Sequence, residues 1–456
     1  MAAMTDDALA VGRKGNGDSA RSPAHPLRNH ALRVTLTNEV HTRPPETLST
    51  PVRATMLAML SGEGASEADR LHLEKLCDWA GVPRPPAGAT HYSGSFGSFR
   101  LKWERHTEFS TWTVFRPSAA SPAGVLVDPF LEPALNAVPG EWLAGLAGEL
   151  MVGVHVAVLD AESPEPSSNM LAAMFGSQSY IGTRISGRAA TAWTDFRIHG
   201  DGFSRILIAD HAMPPNQAGR VVQRLLEIET YRVMALLALP VARGVLPRIG
   251  PIEADLADLT ARIATLRGLD DERDLLDRLT LLAAQTEQIA AETAYRFGAA
   301  RAYYSLVEKR IVELREIRIE GLPTVGEFMN RRLAPAIRTC EAVESRLHAL
   351  SQRVARASDL LRTRVEIAVE GQNAELLLSM DKRAQLQLRL QETVEGLSVV
   401  AISYYLVGIV GYAAKGLKGL GMKVDPDLLV GLMIPIVIAF VWSGVRRIRK
   451  VITGGH

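Results

Sequence analysis

LSVVAISYYLVGIVGYAA (residues 397–414) and LLVGLMIPIVIAFVWSGV (residues 428–445) are the two stretches that decide the fold class, and neither contains a charged residue. As helices, each is about the length that crosses the ~30 Å hydrocarbon core of a bilayer. One such run could equally be a buried core helix. Two runs, separated by a short loop rich in Gly and Lys and followed at once by a basic cluster, predict a transmembrane helical hairpin.

The basic residues that flank the two runs predict the orientation of this hairpin. Seven lie on the outer flanks, before the first run or after the second, and three lie in the intervening loop, residues 415–427. Cytoplasmic segments carry the excess of Lys and Arg, so both termini are expected in the cytoplasm and the loop outside. The expected partner is the lipid bilayer of the cell inner membrane. The basic residues are Lys382, Arg383, Arg389, Arg446, Arg447, Arg449 and Lys450 on the flanks, and Lys415, Lys418 and Lys423 in the loop.

Composition limits what the rest of the chain can be. With 456 residues, 47% hydrophobic and 22% charged, it can form two or three packed domains. Its net charge of +1 gives no argument for a nucleic-acid partner. The two cysteines, Cys77 and Cys340, indicate neither a disulfide framework nor a zinc site. Residues 1–26 are polar and lack a secretory signal, and we expect a disordered arm there.

A long helical region precedes the first apolar run and is expected to form a stalk. Helical periodicity covers residues 251–320 with a break near Gly268, and Thr324 with Glu327 predicts a capping box that begins the next helix. Two apolar rows at heptad spacing then predict a coiled-coil or bundle seam, which could pack on residues 251–320, on copies of the chain, or on both. The rows are Cys340, Leu347, Val354, Leu361 and Ala368, and Val343, Leu350 and Ala357.

The region before the stalk is expected to be an α+β domain with a largely antiparallel sheet. Alternating apolar residues and the turn signal at residues 199–202 predict strands, and amphipathic stretches predict helices. The predicted helices are 51–60, 67–80 and 216–239, the last closed by Pro240; the predicted strands are 99–106 paired with 109–116, the buried 152–159, and 192–199 paired with 203–209.

One predicted strand carries the strongest candidate for a polar site. In a regular strand over residues 192–199, Asp195, Arg197 and His199 point to the same face together with Trp193. An acid, a base and an imidazole in series suit a ligand site or a contact surface. The alternative is the solvated face of an edge hairpin, with Asp195 and Arg197 paired across strands.

Other chemistry-bearing residues admit simpler interpretations. His41 and Arg43 lie on a segment held extended by prolines, either a binding loop or a polar connector. His106 is expected at an exposed hairpin tip, and His155 as a satisfied core residue. No phosphate-binding glycine loop, zincin helix or nucleophile elbow is present, so we assign no catalytic residue, cofactor or metal site.

One helical face of the first apolar run contains small residues. Tyr404, Gly408 and Gly411 would lie on that face, between Ala401 and Lys415. Small residues allow close helix packing, whereas in a channel the same face could line a pore.

The chain resembles a bacterial family of membrane-anchored proteins of unknown function. The resemblance is carried by residues 38–41 with Arg43-Pro44, by 193–197 leading to 201–203, by 229–232, and by the two apolar runs. It implies a location rather than an activity.

The order of segments also resembles the CorA magnesium channels, which have a Gly-Met-Asn signature at the outer end of the first span, whereas Gly421-Met422 lies several residues beyond the predicted end of that span. Here Gly421-Met422 is followed by Lys423, and three loop lysines would repel entering cations, so the selectivity element is missing.

The expected protein is therefore a homo-oligomeric inner-membrane anchor, scaffold or sensor, self-associating through the stalk and first span. A CorA-like divalent cation channel is the alternative, and a membrane-tethered enzyme the third. The expected segments are a disordered arm (1–26), the α/β domain (27–240), a helical coiled-coil-like stalk (241–396), the first span (397–414), an outer loop (415–427), the second span (428–445) and a basic tail (446–456).

Overall fold

A computed structural model describes residues 29–39, 44–62, 64–119, 126–176, 179–263, 265, 269–419 and 425–453. Nine strands form one sheet in the order β2-β3-β4-β1-β5-β8-β7-β6-β9. The strands are β1 (Val52–Leu60), β2 (His91–Ser95), β3 (Arg100–Arg105), β4 (Phe109–Pro117), β5 (Glu149–Leu159), β6 (Ile181–Ile185), β7 (Ala190–Thr194), β8 (Ser204–Asp210) and β9 (Ile317–Arg318).

Helices cover both faces of this sheet and make up nearly all of the chain after it. The helices are α1 (Arg33–Glu39), α2 (Ser66–Ala80), α3 (Gly140–Ala144), α4 (Ser168–Phe175), α5 (Pro215–Leu236), α6 (Ala238–Ile263), α7 (Leu269–Leu314), α8 (Val325–Arg332), α9 (Ala334–Gly419) and α10 (Pro426–Thr453). The mixed α+β architecture with long helices is confirmed.

The central strand β1 corrects one prediction. Residues 51–60 were expected to form a helix, since Ala, Met and Leu are good helix formers. Instead β1 pairs antiparallel with β4 on one side and β5 on the other. Two flanking ladders satisfy its backbone groups, and the apolar clusters on the two faces of the sheet bury most of its side chains, which overrides local propensity. Of the described pairings only β5–β8 is parallel, so the largely antiparallel sheet and both predicted hairpins are confirmed.

Both faces of the sheet are buried. On one face, α5 packs on the middle strands through side chains such as Val221 and Leu225, in a core that also includes Val154 and Ile208. On the other face, α2 and α4 cover two separate apolar clusters. Strands covered on both sides lose the alternation of buried and exposed residues, which is why β5 is an almost continuous buried run.

The helix following the sheet does not end where its sequence predicted. Helix α5 ends at Leu236, and α6 begins at Ala238 and runs on through Pro240. Pro240 falls in the first turn of α6, where a missing backbone N–H leaves no helical hydrogen bond unmade. The break near Gly268 is confirmed by the end of α6 at Ile263 and the start of α7 at Leu269.

The chain divides into two compact units, residues 1–248 with 289–347 and residues 249–288 with 348–456. In the second unit, buried apolar side chains of α6, α7 and α9 include Leu256, Leu279 and Leu361. Arg364 of α9 donates a hydrogen bond to the Ile263 carbonyl at the end of α6 and lies 3.6 Å from a Glu272 carboxylate oxygen of α7. The part of the heptad seam in this unit therefore packs within the chain, on α6 and α7, as predicted for the intrachain alternative.

The burial of the seam ends soon after Arg364. Cys340, Leu347, Val354 and Leu361 are at most 3% exposed, whereas Ala368 is only half-buried. From residue 370 to residue 394 every described side chain of α9 is exposed. Intrachain packing thus accounts for the first part of the seam, whereas residues 370–394 bury no side chain against the described part of the chain.

Three described helical stretches are apolar and long enough to cross a membrane, judged by length and composition: Pro215–Ile263, Val325–Leu417 and Pro426–Ile448. The apolar windows of the second and third have mean hydropathies of 1.8 and 2.5, and only 11% of each window is buried. In the first, a third of the window is buried, and α5 contributes its apolar side chains to the sheet core.

Candidate functional site

The predicted polar strand ends earlier than expected, and this changes the arrangement of its three candidate residues. Strand β7 stops at Thr194, and Phe196 adopts a left-handed backbone with φ of 54°. The Asp195 carboxylate accepts the backbone N–H of Arg197 at 3.1 Å, a turn that replaces the strand ladder. The prediction that Asp195, Arg197 and His199 share a strand face is therefore wrong.

The turn separates the three side chains by depth. Asp195 is buried, and its Oδ1 lies 3.3 Å from Nε2 of His199, which folds back over the following turn. The Arg197 side chain is exposed. The alternative of Asp195 paired with Arg197 across strands is also wrong. The described hydrogen bonds of the Asp195 carboxylate involve the backbone N–H of Arg197 and the His199 ring, and not the Arg197 guanidinium.

A cavity of about 680 Å³ opens at this turn. It lies between the end of β7, the second half of α5 and helix α8, all in the first unit. Four arginines and one carboxylate line it, together with an apolar wall. The charged residues are Asp195, Arg197, Arg232, Arg331 and Arg332; the apolar wall includes Ile181, Phe196, Leu236, Leu322, Phe328 and Met329. We call it the arginine cavity.

Arg232 is held in place by Glu229 and Phe196. Its guanidinium pairs with the buried carboxylate of Glu229, one turn earlier on α5, and lies 5.0 Å from the centre of the Phe196 ring. The Ser204 hydroxyl of β8 donates to the other oxygen of Glu229 at 2.9 Å. Phe196 in turn stacks on Phe328, with ring centres 5.1 Å apart. A sheet strand and two helices thus fix one arginine and one aromatic ring at the cavity wall.

Helix α8 presents the other two α-helical arginines. Its start is fixed by the predicted capping box, now confirmed: Thr324 Oγ1 accepts the Glu327 N–H at 3.1 Å, and the Glu327 carboxylate accepts the Thr324 N–H. Glu316 also accepts the N–H groups of Val325 and Gly326, at 2.8 and 2.9 Å. Burial raises the pKa of the Glu316 carboxyl, although these two donors oppose the rise. Because these hydrogen bonds fix the first turn of α8, they also set the positions of Arg331 and Arg332 in its last turn.

The charges in the arginine cavity are unbalanced in favour of cations. Glu229 neutralises Arg232, and Asp195 supplies one further carboxylate. Within the described part of the chain, the side chains of Arg197, Arg331 and Arg332 have no acidic or hydrogen-bonding partner. Guanidinium groups bind carboxylates and phosphates through paired N–H donors. The arrangement can therefore bind an anion, with an apolar surface beside it for an uncharged part of the same molecule.

The remaining candidates lie elsewhere or outside the described residues. His41 and Arg43 fall outside them. In the first apolar run, Ser403 and Ala414 are the buried residues, while Tyr404 is 78% exposed and Gly408 is exposed. Gly411 approaches α10, since a Cβ on it would lie 3.5 Å from a Val430 methyl group. The predicted small-residue face thus contributes Gly411, but not Tyr404 or Gly408, to packing within the chain.

The two lone histidines differ from one another. His155 is 3% exposed, its Nδ1 lies 2.9 Å from the Thr55 hydroxyl and its ring stacks on Phe203, so a satisfied core histidine is confirmed. Burial lowers the pKa of His155 to about 4. His106 was expected at an exposed tip, but it is half-buried and stacks on Phe109, because α5 and α7 cover this end of the hairpin.

Sequence reasoning missed Arg232, Arg331, Arg332 and the aromatic pair Phe196–Phe328 as site residues. In the sequence, residues 229–232 are distinguished only as one of the segments that carry the family resemblance. The two consecutive arginines at the end of a capped helix could have indicated an anion-binding site. No sequence pattern, however, predicts that this helix end lies near Asp195. Both cysteines are free and buried. Among the described residues no group of three or more His, Cys, Asp or Glu could hold a metal ion.

Comparison with known proteins places the chain in a family. No curated protein matches the sequence. Residues 28–452 match the model of a family described as protein of unknown function (DUF3422). That match spans the sheet, the arginine cavity and both C-terminal apolar helices. The chain belongs to this DUF3422 family.

Proposed function

We propose that this protein is a membrane-anchored sensor whose α+β domain binds a small amphipathic anion in the arginine cavity. The observation that carries the proposal is the cluster of Arg197, Arg331 and Arg332, three cations without partners among the described residues, beside the Phe196–Phe328 wall. All three side chains are exposed, so water and salt screen their mutual repulsion, and each guanidinium is accessible to a ligand. A bound anion would supply the acidic partner that they lack.

The anchor is assigned to the ends of α9 and α10. Their uncharged runs expose large apolar side chains such as Tyr405, Ile409 and Phe440, a surface that is costly in water and favourable in hydrocarbon. Helix α5 is excluded from the anchor because its apolar side chains pack on the sheet. By the basic residues at its flanks, the hairpin would lie in the inner membrane with the α+β domain in the cytoplasm.

We propose self-association only through the part of α9 that follows Arg364. Residues 370–394 of α9 are exposed and include Leu376, Leu386 and Leu390. A solitary helix of this length is marginal in water, so contact with further copies of the chain would stabilise it. Light scattering of the detergent-solubilised protein tests this, and a monomer would leave an anchor without oligomerisation.

The ligand class is tested with three matched probes: phenyl phosphate, inorganic phosphate and phenol. Binding to the full-length protein in a neutral detergent is measured by calorimetry at constant ionic strength. Phenyl phosphate should bind most tightly, because it alone offers both an anion and a ring. Replacing Arg331 and Arg332 together by Ala should weaken it about 10- to 100-fold, the effect of lost charge-assisted hydrogen bonds.

The control is Arg220→Ala, an exposed arginine of α5 that does not line the cavity. It should bind phenyl phosphate as the wild type does. Equal weakening in Arg220→Ala would mean that only the net charge of the domain matters. If none of the three probes bound, the sensor assignment would be wrong and the protein a plain anchor or scaffold.

A further inference from the structure

A second cavity lies in the first unit under the middle of α5, and its charged side chains, unlike those of the arginine cavity, are paired. Its volume is about 250 Å³, and its floor is the outer part of the sheet, strands β3 and β4. Lys102 and Glu104 project from β3, and Thr111 and Thr113 project from the facing positions of β4. The same layer between α5 and the sheet is aliphatic over β5 and β8.

Every charged side chain at this second cavity for which a contact is described already has an opposite charge. Lys102 Nζ lies 3.0 Å from a Glu104 carboxylate oxygen, and Glu46 lies 2.6 Å from the Arg100 guanidinium. Glu227 pairs with Arg310. A charged ligand would find no free counter-charge in these pairs and would be desolvated without compensation.

Neutral polar groups, by contrast, are open. The Oε1 of Gln223 is buried and accepts no hydrogen bond, although its amide nitrogen donates to Glu227 at 2.8 Å. The Thr113 hydroxyl has no described hydrogen bond and also lines the cavity. An unpaired buried acceptor costs free energy unless a donor reaches it. The open groups are thus an acceptor on the helix and a hydroxyl on the sheet, both on residues that line the cavity.

Apolar surfaces complete the lining. Phe115, Tyr231 and Leu226 border the same space. A molecule with hydroxyl groups on its edge and C–H groups on its faces matches a lining of this kind. We infer that the second cavity binds a neutral polyhydroxylated small molecule of the size of a monosaccharide.

One wall of the cavity is a backbone segment that supplies a sharp test. Residues 44–48 contact both β3 and α5: Lys102 of β3 donates to the Pro44 carbonyl at 3.1 Å, and the Leu48 N–H donates to the carbonyl of Pro215, the first residue of α5. A Cβ on Gly219 would lie 1.6 Å from the Glu46 carbonyl oxygen. Gly219→Ala therefore cannot be accommodated without moving this wall, and with it the Glu46 side chain.

The experiment measures binding of D-glucose, myo-inositol and glycerol by saturation-transfer NMR. It uses the full-length protein in a polyoxyethylene detergent, since a sugar-based detergent would compete. Glucose or inositol should bind the wild type. Thr113→Val keeps the side-chain shape and the strand but removes the hydroxyl, and should weaken binding about three- to tenfold, as the loss of one hydrogen bond does.

Two further variants separate binding from folding. Gly219→Ala should abolish binding, whereas Gly244→Ala, a helical glycine with open space at its Cβ position, should bind as the wild type does. Circular dichroism and the thermal unfolding midpoint of each variant serve as the check that the domain is folded, independently of whether the arginine cavity binds phenyl phosphate. If neither glucose nor inositol bound, or if Thr113→Val bound them unchanged, the inference would fail and the space would hold water only.

Discussion

The buried histidine His155 predicts a specific loss of stability in acid. Its ring is 3% exposed and lies between Thr55 and Phe203, and the charge of Asp201 only partly offsets the effect of burial on its pKa. Burial lowers its pKa to about 4 from 6.5 in the unfolded chain. Because the folded pKa is the lower one, the unfolded state binds the proton first. The stabilisation is complete above pH 6.5 and is lost as the pH falls towards 4.

The size of the effect follows from the two pKa values. Proton linkage at a single site with values of about 6.5 and 4 removes about 2 kcal/mol of unfolding free energy at pH 5, and about 3 kcal/mol at pH 4. His155→Gln retains a hydrogen-bonding group for Thr55 but cannot titrate. We therefore expect the variant to be less stable at neutral pH and less sensitive to acid, with the gap to the wild type closing by that amount.

The assay is denaturant unfolding of the full-length protein in neutral detergent, followed by tryptophan fluorescence between pH 7 and about pH 4. His211→Gln is the matched control, because His211 also contacts a threonine hydroxyl, that of Thr191 at 2.8 Å, but is exposed. The control should keep the acid sensitivity of the wild type. Parallel pH profiles for the wild type and His155→Gln would refute the reasoning, since they would mean that water or a counter-charge reaches the ring.

Three further predictions concern the helices. Leu361→Ala should lower the free energy of unfolding of the second unit by about 2–5 kcal/mol, because Leu361 is fully buried. The neighbouring Leu360 is 65% exposed, so Leu360→Ala should have little effect on thermal unfolding. Deleting residues 397–456 should move the protein from the membrane to the soluble fraction with its circular dichroism still that of an α+β domain; a product retained in membranes would reveal another anchor. A cysteine placed in the loop 415–427 should react with an impermeant reagent added to intact cells, and one after Lys450 only after lysis; the reverse pattern would contradict the assigned orientation.

The features that the sequence predicted well are those contained in one continuous segment. The capping box at Thr324 needs only residues three apart, and the buried row from Cys340 to Leu361 needs only a seven-residue spacing on one helix. Hairpins such as β3–β4 need only two neighbouring strands and a turn. In each case the interacting residues are neighbours along the chain, so the pattern itself specifies the contact.

The failures occurred where a contact that the hydrophobic pattern does not show overrode the preference of the local sequence. Residues 51–60 have helical composition, but β4 and β5 on either side make them a central strand. Residues 195–199 alternate as a strand does, but the Asp195 carboxylate binds the backbone two residues on and ends it. His106 was misjudged because α5 and α7 cover its hairpin, and neither helix is adjacent in sequence.

The sequence by itself therefore determined the two uncharged apolar runs, the helical seam and the presence of an α+β domain, since hydrophobic periodicity and length are local properties. Only the tertiary structure decided the sites. The arginine cavity joins the end of β7 to α5 and α8, and the second cavity joins β3 and β4 to α5 and α7. Their residues lie tens to hundreds of positions apart in sequence, and only the sheet order and helix packing bring them together.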